Sequence, residues 1–127
     1  MNIFLVEDSQ PVRERLAAML GAIPGATLVG QAEHAEPAIR EILATHPDVV
    51  VLDLGLAGGT SGFDVLRAVR PQAPEIDFYM LSNFAADPYR QLAGRLGARG
   101  FFDKSREFER VREVIVQRAA AHAAAPV

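Results

Sequence analysis

Two adjacent carboxylates, Glu7 and Asp8, follow directly on a short apolar run, residues 3–6, and a third, Asp53, closes the run "VVVLD". Capping explains one acid, since Asp8 or Ser9 suits the N-cap of a helix beginning near Pro11. It does not explain three. Two unit charges about 4 Å apart repel by about 4 kcal/mol at an effective dielectric near 20, so converging carboxylates need a shared proton, separation or a cation. A hard divalent cation answers this need best. All-oxygen ligation with retained waters suits Mg²⁺, which commonly bridges carboxylate to phosphate. Two more apolar runs end on polar groups, Ser82 after "FYML" and Lys104 after "FFD". Taken singly these are a turn residue and a solvated strand end. Beside three acids they complete a phosphate site, the lysine as a point charge and the serine as a hydroxyl donor. Asp53 is then the candidate nucleophile, because carboxylates form aspartyl-phosphate intermediates.

Whether these groups meet depends on the elements that carry them. Strand-like runs at 3–6, 26–32, 47–54, 76–82 and 99–104 alternate with segments of helical spacing. Val12, Leu16, Met19, Leu20 and Ile23 mark the first helix, and Ala35, Ala38, Ile39, Ile42 and Leu43 the second. Phe63, Leu66 and Val69 mark a short third helix that stops near Pro71. Asp87-Pro88 reads as an N-cap and first helical residue, with Tyr89, Leu92 and Leu96 inward and Gly97 as the stop. Phe108, Val111, Val114 and Ile115 face the core from the last helix. The third strand is apolar on both faces, as a parallel strand covered by helices must be. The alternation predicts an α/β fold, a doubly wound five-stranded parallel sheet in the order 2-1-3-4-5. Its ligand crevice lies beyond the carboxyl ends of strands 1 and 3, which is where Glu7, Asp8 and Asp53 stand.

Composition narrows the classes of function. The 127 residues suit one domain, and 50% hydrophobic with 23% charged residues excludes wholesale disorder. A net charge of −3 gives no electrostatic reason to expect nucleic acid. Without cysteine there is no disulfide frame or thiolate zinc site. The N-terminal apolar stretch is too short for a signal peptide, and no run approaches membrane-spanning length. The expectation is a cytoplasmic domain with no membrane or nucleic-acid partner.

The ordered set "IFLVEDS", "PDVVVLDL", "YMLSN" and "GARGFFDKS" resembles the receiver domains of bacterial two-component response regulators, with the flavodoxin-like receiver fold, over nearly the whole chain. The resemblance implies that residues 1–119 are a receiver domain and 120–127 an alanine-rich tail, with no output domain. It makes Glu7 and Asp8 the metal-binding acids, with the backbone carbonyl of Gly55 completing the protein's Mg²⁺ ligands. Asp53 becomes the phosphoacceptor, Ser82 the switch hydroxyl, Lys104 the lysine on the phosphoryl group and Phe101 the aromatic switch. A histidine kinase or histidine phosphotransfer protein would donate the phosphoryl group and meet helix 1 at Arg13, Glu14 and Ala17. A downstream protein target would read the surface of helix 4, strand 5 and helix 5, where Arg90, Arg95, Arg106 and Arg110 offer polar contacts.

Four departures from the family pattern concern loop geometry. Ser105 stands where proline is usual, so the Lys104–Ser105 bond is expected to be trans. Ala57 replaces a frequent proline, the loop from Asp53 to Gly62 is one residue longer, and Asn83 replaces a small residue after Ser82. Asn83 and Phe84 are expected beside the phosphoryl group, where Phe84 would obstruct the in-line water and prolong the adduct's lifetime. Two other functions compete: a small phosphohydrolase with Asp53 as nucleophile, and a receiver-like scaffold that is never phosphorylated. The first wants an acid two residues after the nucleophile, and that position is Gly55. The second is expected to lose one of the five groups, and all are present.

Overall fold

The computed structural model describes residues 1–83 and 87–124, with Ala57 described through its backbone alone. Five strands, β1 (Asn2–Val6), β2 (Thr27–Ala32), β3 (Val49–Asp53), β4 (Asp77–Ser82) and β5 (Gly100–Asp103), form one sheet in the order β2-β1-β3-β4-β5. Every neighbouring pair is parallel, as the βα alternation predicts. The helices are α1 (Gln10–Gly21), α2 (Ala35–Thr45), α3 (Gly62–Val69), α4 (Asp87–Arg95) and α5 (Phe108–Ala124).

Strand alternation divides the core into two layers. Phe4, Val6, Val50, Leu52, Phe78 and Met80 point to one face and pack under α2, α3 and α4. Ile3, Leu5, Val49, Val51, Tyr79 and Leu81 point to the other, under α1 and α5. All five residues of β3 are buried, which places its terminal Asp53 at the end of the best-protected strand.

Local chemistry sets the helix ends. Ser9 occupies the N-cap position of α1 with extended backbone, and Pro11 sits in the first turn, yet the serine side chain makes no capping bond. The expected cap is therefore positional only. At α3, Ser61 Oγ accepts the Phe63 N–H at 3.0 Å while Asp64 Oδ2 accepts the Ser61 N–H at 3.0 Å, a reciprocal capping box. Gly97 ends α4 at φ +98°, a conformation that favours glycine, and the next N–H, of Ala98, returns to the Ala93 carbonyl at 2.9 Å.

Tyr89 departs from expectation. Spacing predicts it inward, but it is 42% exposed, and Ala93 takes the fully buried position on α4. Leu92 and Leu96 pack against the core as partly buried neighbours. The last helix runs on to Ala124, so the first five residues of the alanine-rich segment continue it.

Candidate phosphoacceptor site

The acids converge because three strands end together. Glu7 follows β1, and its N–H still bonds the Ala32 carbonyl at 3.0 Å, one step beyond the last paired residues of β1 and β2. Asp53 ends β3 opposite Leu81, and Ser82 ends β4 opposite Asp103. The Lys104 N–H donates to the Ser82 carbonyl at 3.0 Å, which carries the β4–β5 ladder to the edge of the site. Glu7, Asp8 and Asp53 each bring a carboxylate oxygen within 4.8 Å of the other two.

Burial differs sharply among them. Glu7 and Ser82 have no solvent exposure, Asp53 is buried, and Asp8 is exposed. Lys104 Nζ bridges the two inner acids, at 2.9 Å from Asp53 Oδ2 and 2.5 Å from Glu7 Oε1. The second contact is a buried ion pair. Burial, reinforced by Asp53, pushes the Glu7 carboxyl up to about 8, while Lys104 pulls the other way. Burial works against the charge on Lys104, but its two carboxylate partners outweigh it and raise its pKa. One lysine thus faces two buried acids, and the imbalance is met by a proton on the acid pair or by another cation.

The three acids suit Mg²⁺. Opposite ligands of one Mg²⁺ lie about 4.2 Å apart, close to the spread of these oxygens. A cavity of about 540 Å³ opens over the site, reaching Asp8, Asp53, Gly55, Ser82, Asn83 and Lys104. On its far wall Arg15 stacks on the Phe108 ring at 3.9 Å.

The loop after Asp53 is closed from behind. Gly55 pairs with Ser61, the Leu56 N–H bonds the Thr60 carbonyl at 3.1 Å, and the Gly62 N–H bonds the Leu54 carbonyl at 2.7 Å. A Cβ on Gly62 would collide with the Asp53 carbonyl oxygen, so only glycine lets α3 start this close behind the acid. Within the loop, residues Ala57–Gly59 form a single tight turn.

A profile of the response regulator receiver domain matches residues 3–116. The chain belongs to this family. Among its relatives, the DNA-binding transcriptional activator DevR/DosR of Mycobacterium tuberculosis is 33% identical over 104 residues, 82% of this chain and 48% of that one. Response regulator GacA of Pseudomonas aeruginosa is 27% identical over 117 residues, 92% of this chain and 54% of its own. The receiver therefore spans about half the length of the curated relatives it matches. A two-component response regulator of the LuxR family from Aurantimonas sp. superposes with a TM-score of 0.86 at 28% identity, covering 94% of this chain and 85% of that one.

The receiver brings together Glu7, Asp8, Asp53, Gly55, Ser82 and Lys104. Phe101 lies apart from them, partly buried against the core layer under α4, with Arg90 over its ring at 5.2 Å. Arg90 was expected as a surface contact. Its Nη1 donates to the Phe101 carbonyl at 2.9 Å and its Nη2 pairs with Glu107 Oε1 at 3.0 Å. Arg13, expected as a kinase contact, is also turned inward, with a side chain only 14% exposed. Lys104–Ser105 is trans, as are all peptide bonds among the described residues. Phe84 lies outside those residues. Glu33 and Glu107 escaped the sequence reading because their partners lie 20 and 17 residues away, where no local spacing signals a pair. The α3 capping box was legible in "SGFD" as Ser-x-x-Asp.

Proposed function

We propose that this receiver accepts a phosphoryl group from the phosphohistidine of a histidine kinase or histidine phosphotransfer protein onto Asp53. The observation that carries this reading is the geometry of Asp53 itself. It is a buried carboxylate on the floor of an open cavity, held by Lys104 Nζ at 2.9 Å, with the carboxylates of Glu7 and Asp8 beside it.

In the transfer, an Asp53 oxygen forms a bond to phosphorus as the phosphorus–nitrogen bond of the donor breaks, and the imidazole leaves with the bonding pair. Lys104 Nζ stabilises charge on the transferred oxygens, and the Ser82 hydroxyl donates to one of them. Glu7, Asp8, Asp53 and the Gly55 carbonyl would hold Mg²⁺, which supplies further charge neutralisation at the phosphoryl oxygens. Gly55 brings no side chain to the site, so no general acid stands two residues beyond the nucleophile, which argues against steady hydrolysis of small phosphate esters. Engagement of Ser82 then alters the α4–β5–α5 surface, where a protein target would bind.

Incubation with acetyl phosphate and Mg²⁺ tests the reading. Wild type should gain one adduct of about 80 Da that base removes, as an acyl phosphate requires. Asp53→Asn should gain none. An adduct formed at equal rate in that variant would move the nucleophile elsewhere.

A further inference from the structure

Arg13, expected at the donor interface but turned inward, and Glu33, which has no role so far, together frame the acid pair. Arg13 Nη1 donates to the main-chain carbonyl of Glu7 at 3.0 Å, and its Nη2 pairs with Glu33 Oε1 at 2.8 Å. The Glu7 carbonyl belongs to the peptide that joins Glu7 to Asp8. On one side of that peptide the Glu7 side chain is fully buried against Lys104, and on the other Asp8 is exposed at the cavity. The orientation of this one peptide plane therefore decides whether both carboxylates can address the same point. The β1–β2 ladder stops just short of it, at the Glu7 N–H, which reaches the Ala32 carbonyl at 3.0 Å.

We propose that Arg13 is a positioning residue for the metal-binding acids, and that Glu33, on the segment between β2 and α2, sets the guanidinium in place. Arg13 suits this task because its planar fork reaches two acceptors at once, which a lysine cannot do in the same geometry. Its side chain is 14% exposed against 48% for Glu33, so the arginine is the inner member and the glutamate its outer brace. Partners that orient metal ligands typically change metal affinity by tenfold or more when removed, although they never touch the ion.

This inference rests on the phosphoacceptor reading, and a Mg²⁺ titration separates the two. The probe is Mg²⁺ alone, followed through the amide signals of Asp8 and Asp53 in wild type, Arg13→Gln, Arg13→Lys and Glu33→Gln. The apparent dissociation constant should rise about tenfold in Arg13→Gln, less in Arg13→Lys and in Glu33→Gln. The Arg13→Gln/Glu33→Gln double variant should bind no more weakly than Arg13→Gln, because the glutamate acts only through the arginine. Acetyl phosphate labelling lost at low Mg²⁺ should return as Mg²⁺ is raised. Wild-type affinity in every variant would overturn the positioning role. A labelling defect that saturating Mg²⁺ leaves in place would overturn it too, since that marks general distortion. Should Arg13→Gln not fold, Arg13→Lys and Glu33→Gln carry the same comparison. A wild type that binds no Mg²⁺ defeats the phosphoacceptor reading itself, and this inference with it.

Discussion

Glu7 is a carboxyl with no solvent exposure, set against a second acid and a single lysine. Its folded pKa of about 8 stands above the ordinary 4.5, so its contribution to stability has a definite sign. The contribution is complete below pH 4.5 and is lost as pH rises through 8, because the buried group must then carry charge. Metal-free protein should accordingly lose stability between those limits. Glu7→Gln should flatten that slope and melt about 3 °C or more above wild type at pH 8.5, read by thermal unfolding without metal. A variant as pH-sensitive as wild type would remove Glu7 from the account. Mg²⁺ reverses the preference, for it requires the carboxylate. Its affinity should fall by up to tenfold for each pH unit below 8, and Glu7→Gln should forfeit most of the Mg²⁺-induced rise in melting temperature. Ser82, Lys104 and the three acids were legible in the sequence because each ends an apolar run, and the strand order then dictates that they meet. Arg13 was not, because its two partners are a main-chain carbonyl and an acid from another loop.

At the scale of elements, α3 matters more to the site than its length suggests. It contributes no chemical group, yet its first residue lies against the Asp53 carbonyl and its capping box fixes where it starts. Gly62→Ala should displace Asp53, costing about 1–3 kcal/mol in stability and at least tenfold in the rate of acetyl phosphate labelling. Ser61→Ala removes only the cap, costing about 1 kcal/mol and leaving labelling close to wild type. Labelling that fell equally in both variants would tie the nucleophile to helix stability and not to the close approach. The α4 error has a physical origin at this scale. Spacing ranks candidates by apolar size and favoured Tyr89, but the helix spans nine residues, and the small Ala93 is what lets it sit close to the sheet.

Across the whole molecule, the site and the expected output face are joined through two strand ends. Ser82 closes β4 inside the site, while Phe101 lies on β5 beside it, under Arg90. Glu107 ties this region together, pairing with Arg90 and accepting the Asp103 N–H at 3.0 Å, one residue before Lys104. The Asp103 amide and Arg90 together hold the Glu107 carboxyl below its usual range. Phosphorylation biases this region only if the phosphoryl group contacts one arrangement better than another. Ser82→Ala should therefore still accept phosphate, yet show weaker chemical-shift changes at Phe101 and Arg90 than wild type does. Wild-type spectra in which Phe101 stays unmoved on phosphorylation would leave it a packing residue.

The strand-end origin of the site has one more consequence. Asp53, Ser82 and the two neighbours Glu7 and Lys104 all sit at or one residue past the end of a strand, and none of these candidate groups lies on a described helix. The outer faces of the helices are thus free to drift without disturbing the reaction at the sheet edge. An exposed position such as Glu14 on α1, outside the cavity lining, could be rewritten to suit a different proposed donor while the chemistry stays as it is. Apart from Arg13, the face proposed to meet the donor and the groups proposed to react lie on different elements, so one could be exchanged while the other is inherited unchanged.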